Sequence, residues 1–175
     1  SYYFYAVEAS PFGTDGVRAS GADIDDLMVR SAIFRDAGLT LFRTETFYDT
    51  TQGKGEERAL LAYNYRNDGS TVRNSTIYNY ESGAYEIARM THSNTYDAAI
   101  DFIEIAGPDN ELESTTYYYV LGSIEKGDEI ADYTHDYKTG RDSYYFYAVE
   151  ASPFGTDGVR ASGADIDDLM VRSAI

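Results

Sequence analysis

The chain contains no cysteine and no tryptophan, only two histidines and three prolines, and 14 basic residues against 30 acidic ones among its 175. Without cysteine there is neither a disulfide framework nor a thiolate metal site, and His92 and His135 alone leave little for zinc or for acid–base chemistry. No apolar run approaches the length that spans a bilayer, so no membrane span is expected. The net charge of −16 repels polynucleotides and anionic headgroups, which argues against nucleic acid as a partner. No pair of acids at defined spacing and no nucleophile with its base stands out. His135 beside Asp136 lacks a Ser or Cys partner, and no enzymatic activity is expected.

What the chain does contain is a duplication. Residues 143–175 repeat residues 1–33 letter for letter at a constant offset of 142. Thirty-three identical positions exclude chance. The simplest reading is one full tandem period, 1–142, followed by the start of the next copy, 143–175, in a chain that continues beyond this stretch. A deliberately duplicated segment would give the same identity, and the tandem reading is preferred to it. A period of 142 residues is long enough for a core of its own. It holds 12 basic and 25 acidic residues, a net −13, so an array of such copies is a soluble polyanion. Interchangeable neighbours suit a regular fibre, in which every copy has the same surroundings.

The second bias is aromatic, with 18 tyrosines and 8 phenylalanines. Flat rings pack well on a pleated surface, so the composition predicts sheet. Turn signals recur at Asp36-Ala37-Gly38, Gly53-Lys54-Gly55, Asn67-Asp68-Gly69, Glu81-Ser82-Gly83, Gly107-Pro108-Asp109-Asn110, Gly122, Lys138-Thr139-Gly140 and Gly155. Between them, strands are predicted at 39–48, 59–65, 75–80, 85–91, 99–105, 115–121, 130–137 and 143–150. The expected fold is therefore all-β: tandem-repeat antiparallel hairpins in a sandwich or a coiled sheet, with copies joined along one long chain. Residues 23–34 resist assignment. Acidic residues first, basic Arg30 and Arg35 later, and apolar spacings of three and four suit a short helix, while Ile33-Phe34 and Leu41-Phe42 flank Asp36-Ala37-Gly38 as in a hairpin. The hairpin is preferred.

Because side chains alternate across a strand, Tyr63 with Tyr65, Tyr78 with Tyr80, Tyr117 with Tyr119, Tyr145 with Tyr147 and Tyr2 with Phe4 each share a face. These ten residues are the candidate assembly positions, through aromatic ladders between neighbouring strands. No catalytic or cofactor-binding residue is nominated. Asp23, Asp25 and Asp26 are weak calcium candidates, since the run lacks the glycine and distal glutamate of an EF-hand loop. Calcium is otherwise expected only as a counter-ion. Asn74-Ser75-Thr76 is a glycan acceptor sequence, which makes Asn74 a modification candidate and glycans possible partners.

The segments Tyr137-Lys138-Thr139-Gly140-Arg141, Tyr78-Asn79-Tyr80-Glu81-Ser82-Gly83, Phe47-Tyr48-Asp49 and Thr95-Tyr96-Asp97 resemble the Tyr-Asp repeats of the rearrangement-hotspot family. In that family such motifs build a long coiled sheet in secreted bacterial toxins and cell-surface proteins. Gly-Arg occurs here only at Gly140-Arg141 and Tyr-Asp only at Tyr48-Asp49 and Tyr96-Asp97, so the resemblance implies an extracellular, strand-rich architecture rather than a toxin. Three functions follow as expectations. The first is a structural subunit of an extracellular or cell-surface microbial filament, its partners being neighbouring copies through chain continuity and strand exchange. The second is a carbohydrate-binding surface adhesin that offers exposed tyrosines to sugars. The third is a shell segment of a rearrangement-hotspot-type secreted protein.

Overall fold

A computed structural model of the chain describes residues 1–6, 17–84, 87–97, 99–100, 112–120, 125–148, 158–164 and 168–174. The described residues are all-β. Eleven antiparallel strands follow one another: β1 (Tyr2–Tyr5), β2 (Val17–Arg18), β3 (Met28–Phe34), β4 (Phe42–Asp49), β5 (Arg58–Tyr65), β6 (Val72–Tyr80), β7 (Met90–Tyr96), β8 (Leu112–Tyr119), β9 (Ile130–Asp136), β10 (Arg141–Tyr147) and β11 (Met170–Ala174). The chain divides into two compact units, Ser1–Ile77 with Tyr96–Glu111, and Tyr78–Thr95 with Leu112–Ile175. In the first the strand order is β2-β1-β3-β4-β5-β6, with β6 belonging to it as far as Ile77; in the second it is β7-β8-β9-β10-β11. Most strands pair with the next in sequence, as expected of hairpins with short turns.

The ambiguous segment 23–34 is a turn followed by a strand. Asp23 to Asp26 close the turn, and β3 pairs with β4 from Arg30↔Phe47 to Phe34↔Phe42. Two predicted strands need correction. The segment placed at 85–91 is shifted: β7 begins at Met90 and runs to Tyr96. Its sequence, Met-Thr-His-Ser-Asn-Thr-Tyr, has almost no apolar alternation, and polar cross-strand partners hold it instead. Asn94 Oδ1 accepts from the Thr115 hydroxyl at 2.8 Å, and the Ser93 and Tyr118 hydroxyls meet at 3.4 Å. Of the segment placed at 99–105, Ala99 and Ile100 are not in a strand and 101–105 lie outside the described residues. The turns placed at 107–110, Gly122 and Gly155 also lie outside them.

Six of the described ladders carry a single-residue bulge, the extra residue being Val29, Arg43, Leu60, Arg73, Asp132 and Val171. Each falls within the first three residues of its strand. A bulge adds local right-handed twist, so each of these ladders twists more strongly than an unbulged one such as β9–β10.

In the first unit, register places Ala32, Glu45, Phe47, Leu61, Tyr63, Ser75 and Ile77 on one face. Apart from the half-buried Tyr63, every one of them is buried. Ile100 is held on this face: Ser75 Oγ accepts its amide at 3.1 Å and the Tyr63 hydroxyl donates to its carbonyl. The opposite face carries a polar row. Thr44 Oγ1 donates to Asn64 Oδ1 at 3.3 Å, and Asn64 Nδ2 donates to Asn74 Oδ1 at 2.9 Å.

The turns show why the acidic residues sit where they do. Asp68 accepts the Ser70 and Thr71 amides at 3.0 and 2.9 Å and the Thr71 hydroxyl at 2.5 Å. These bonds hold its carboxyl down at about 2, because each donor favours the charged form. Asp36 is lowered chiefly by the Leu41 amide and the Thr40 hydroxyl, and Asp136 chiefly by the Thr139 amide. Gly69 has φ 69°, and a Cβ there would stand 2.5 Å from Leu41 Cα in the neighbouring turn. The residue is thus fixed twice, by conformation and by close approach. Gly69→Ala is expected to destabilise the protein by more than about 1 kcal/mol. Urea unfolding measures this, and an unchanged midpoint would contradict the close approach of the two turns.

The described residues of 143–174 form the same local structure as their counterparts in 1–32. Tyr2↔Ala32, Tyr3↔Ser31, Phe4↔Arg30 and Tyr5↔Met28 recur as Tyr144↔Ala174, Tyr145↔Ser173, Phe146↔Arg172 and Tyr147↔Met170, with the bulge at the same place. The bond from the Ala6 amide to the Leu27 carbonyl recurs from Ala148 to Leu169, both 2.9 Å. The 3₁₀ turn Ala19–Gly21 recurs at Ala161–Gly163. Two differences stand out. β3 is paired onward with β4, whereas no described strand lies beyond β11. β10 is also paired along its other edge, with β9, from Arg141↔Asp136 to Tyr144↔Tyr133.

Candidate assembly site

Within each unit, hairpin register brings rings from successive strands together into a ladder. In the first, Tyr2 meets Phe34 edge-on at 5.6 Å, Phe34 meets Phe42 at 4.7 Å, and Phe42 meets Tyr65 at 5.4 Å between centroids. In the second, His92 lies over Tyr117 at 6.0 Å, Tyr117 stacks on Tyr133 at 4.7 Å with 16° between planes, and Tyr133 meets Tyr144 at 5.7 Å. Such pairs contribute roughly 0.5–1.5 kcal/mol each beyond the area they bury. An arginine lies over the ring of Tyr2 and over that of Tyr144. The Arg18 guanidinium is 4.1 Å from the Tyr2 centroid, and its counterpart Arg160 is 4.3 Å from that of Tyr144. Arg160 also grips Asp132 with two bonds, Nε to Oδ1 at 2.9 Å and Nη2 to Oδ2 at 2.6 Å. That carboxylate is the bulge residue of β9.

A buried polar group lies beside the first ladder. Arg30 packs over the Phe4 ring at 4.1 Å and donates to Glu45 at 2.7 Å, while the Tyr65 hydroxyl donates to the other Glu45 oxygen. Glu45 is 5% exposed, and these donors satisfy both of its buried oxygens. Burial pushes the Tyr65 phenol well above its ordinary range, and the hydrogen bond to Glu45 and the Glu45 charge add to the rise. Burial also raises Tyr117, Tyr133 and Tyr147, and lowers the His92 imidazole.

Of the ten candidate assembly residues, Tyr2, Tyr65 and Tyr117 are in the ladders. Phe4 lies under Arg30. Tyr63 and Tyr65 do share a face, their rings meeting at 6.4 Å, and Tyr63 packs on Phe47 at 5.6 Å. Tyr145 and Tyr147 act through their hydroxyls, Tyr145 bonding Thr134 at 2.9 Å and Tyr147 donating to the Ala131 carbonyl at 2.6 Å. Tyr78 and Tyr80 are half-buried in β6, and Tyr119 is half-buried opposite Ile130. Sequence reading missed Phe34, Phe42, His92, Tyr133 and Tyr144, five of the eight ladder rings. Counting register outward from each turn would have placed Tyr133 opposite Tyr144, whereas the search for Tyr-x-Tyr triplets passed over single rings.

The remaining candidates are local. Asp26 accepts the Asp23 amide at 2.7 Å and Asp23 accepts the Ile24 amide at 2.6 Å, so these carboxylates close the turn, with Asp25 beside them. Among the described residues no group of three or more His, Cys, Asp or Glu side chains gathers as a metal site would. Asn74 is half-buried in β6, its carboxamide oxygen engaged by Asn64. His135 pairs with Asp142 at 2.7 Å rather than with its neighbour Asp136. No described helix is long and apolar enough to cross a membrane. Comparison with known proteins gives no match to a family model, to a curated protein or to a solved structure.

Removing the Tyr65 hydroxyl leaves the buried Glu45 one donor short, so Tyr65→Phe is expected to cost about 1–3 kcal/mol. The raised phenols give the pH dependence its sign. A raised folded pKa contributes stability that is complete below the unfolded value near 10 and is lost as pH rises through the folded value. Ultraviolet titration of the folded protein at pH 11 should therefore count fewer phenolates than its 18 tyrosines, the deficit disappearing on unfolding. Full ionisation of the folded protein at pH 11 would contradict burial of the ladder.

Proposed function

We propose that the protein is a structural subunit of an extracellular microbial filament, built from tandem 142-residue β-rich copies along one chain. The observation that carries this reading is the position of β10. It opens the second copy of the duplicated segment, reproduces the β1–β3 register, and pairs along its other edge with the last strand of the preceding period. A sequence that joins the end of one period to the start of the next by ladder hydrogen bonds can be extended copy after copy without a break. The polyanionic charge keeps such a polymer apart from its neighbours, and divalent cations such as calcium would screen it. The resemblance of Tyr137-Lys138-Thr139-Gly140-Arg141 to the Tyr-Asp repeat falls at the β9–β10 turn, which is compatible with a coiled-sheet segment of a secreted protein.

The adhesin reading requires open tyrosines. Among the 17 described ones only Tyr3 and Tyr137, at 48% and 47% exposure, are open. The rest are partly or fully buried, which favours the structural reading over sugar stacking. Imaging a chain of several consecutive copies by electron microscopy tests the proposal. Uniform fibres with one axial spacing per copy are expected. A string of independent globules with variable spacing would overturn it.

A further inference from the structure

The duplicated hairpin is present twice, and comparing its two occurrences shows what one of them has that the other lacks. At β10, the outer edge meets β9, with Ser143 opposite Thr134 and Tyr144 opposite Tyr133. Four side-chain contacts accompany the pairing. Tyr133 lies against the Tyr144 ring, Thr134 Oγ1 bonds the Tyr145 hydroxyl, the Ala131 carbonyl accepts the Tyr147 hydroxyl, and Asp132 takes the Arg160 guanidinium in two bonds. The corresponding residues of the first occurrence are Tyr2, Tyr3, Tyr5 and Arg18. Here β2 pairs β1 only at Phe4 and Tyr5, and no described strand lies along the outer edge of Ser1–Tyr3. Tyr3 is exposed where its counterpart Tyr145 is half-buried. Arg18 already lies over Tyr2 as Arg160 lies over Tyr144. Ser1, Tyr2, Tyr3, Arg18 and Ser20 line an open groove of about 260 Å³ beside it.

We infer that the groove between β1 and Arg18 is a docking site for the β9 strand of another copy of this period, residues 130–136, with Asp132 as the carboxylate that Arg18 receives. The interaction is addition of a strand to a sheet edge, in which main-chain pairing supplies affinity and side chains select register. The charge complementarity is specific. Arg18 projects a planar, always-protonated fork, and a carboxylate on the bulge of an incoming strand can meet both of its tines, as Asp132 meets Arg160. The preformed stack on Tyr2 holds the fork in place before the partner arrives. The inference rests on the tandem reading and deepens it, because it names the residues that lock one period to the next.

A labelled peptide of residues 128–137, titrated into the full chain and followed by fluorescence anisotropy, tests the site in trans. Saturable binding is expected, weakened about three- to tenfold by Asp132→Asn in the peptide or by Arg18→Gln in the chain, and unchanged by Arg160→Gln. A second chain, carrying residues 125–142 ahead of Ser1, tests the same contact without relying on the affinity of a short peptide. Amides of Ser1–Tyr3 should then exchange with solvent at least tenfold more slowly, and Asp132→Asn in the added segment should reverse much of that protection. Absence of both effects, or binding indifferent to Arg18→Gln, would overturn the lock. Regular fibres seen alongside that negative result would leave the filament reading standing, whereas protection at Ser1–Tyr3 in copies that image as loose globules would retain the lock and remove the filament.

Discussion

A β-strand has two hydrogen-bonding edges, and an unpaired edge is either protected or an invitation to another strand. In this chain that constraint governs everything else. Hairpin turns dispose of most edges by pairing each strand with the next, and β10 fills both of its own with β9 and β11. The rings follow from the pairing. Once Tyr117, Tyr133 and Tyr144 occupy opposed positions on three adjacent strands, their stacking is a consequence of register and in turn resists any slip, since a shift of one residue would send every ring to the other face.

The excess of acid finds its place through the same geometry. Carboxylates in turns accept amides that the ladders leave unpaired, as at Asp36, Asp68 and Asp136. Several of those inside the sheets meet an arginine, as in Arg30–Glu45 and Arg160–Asp132, with Arg89–Glu81 near the β6–β7 turn, while Asp142 meets His135 and Glu113 meets Lys138. The surplus negative charge stays on the surface, where solvent and salt screen it.

Fold class was legible because aromatic content and regular turn signals point the same way. The Asn67-Asp68-Gly69 turn was read from three letters, because only glycine fits both the φ of 69° and the approach of Leu41. β7 was misplaced because its stability comes from partners such as Thr115 and Tyr118, which sequence alternation cannot display. Ladder membership was half legible for a similar reason. Tyr2, Tyr65 and Tyr117 belong to visible triplets, while Phe34, Phe42, His92, Tyr133 and Tyr144 earn their roles only from which residue lies across the strand pair. The positive φ of the Asp36 turn falls on Leu39 rather than Gly38, an outcome set by the many bonds to Asp36 and not by the residue's own preference.

The central claim is that the two identical stretches form equivalent hairpins that differ in their neighbours, β4 lying beside β3 in the first and β9 beside β10 in the second. Amide chemical shifts resolve this directly in a segmentally labelled chain. The cross-strand contacts of residues 28–32 to Tyr2–Tyr5 should recur from 170–174 to Tyr144–Tyr147, with shift differences concentrated at Ser1–Tyr3 against Ser143–Tyr145, where β9 lies, and at 30–32 against 172–174, where β4 lies. Unrelated shifts throughout the two stretches, or a second copy without cross-strand contacts to β9, would contradict it.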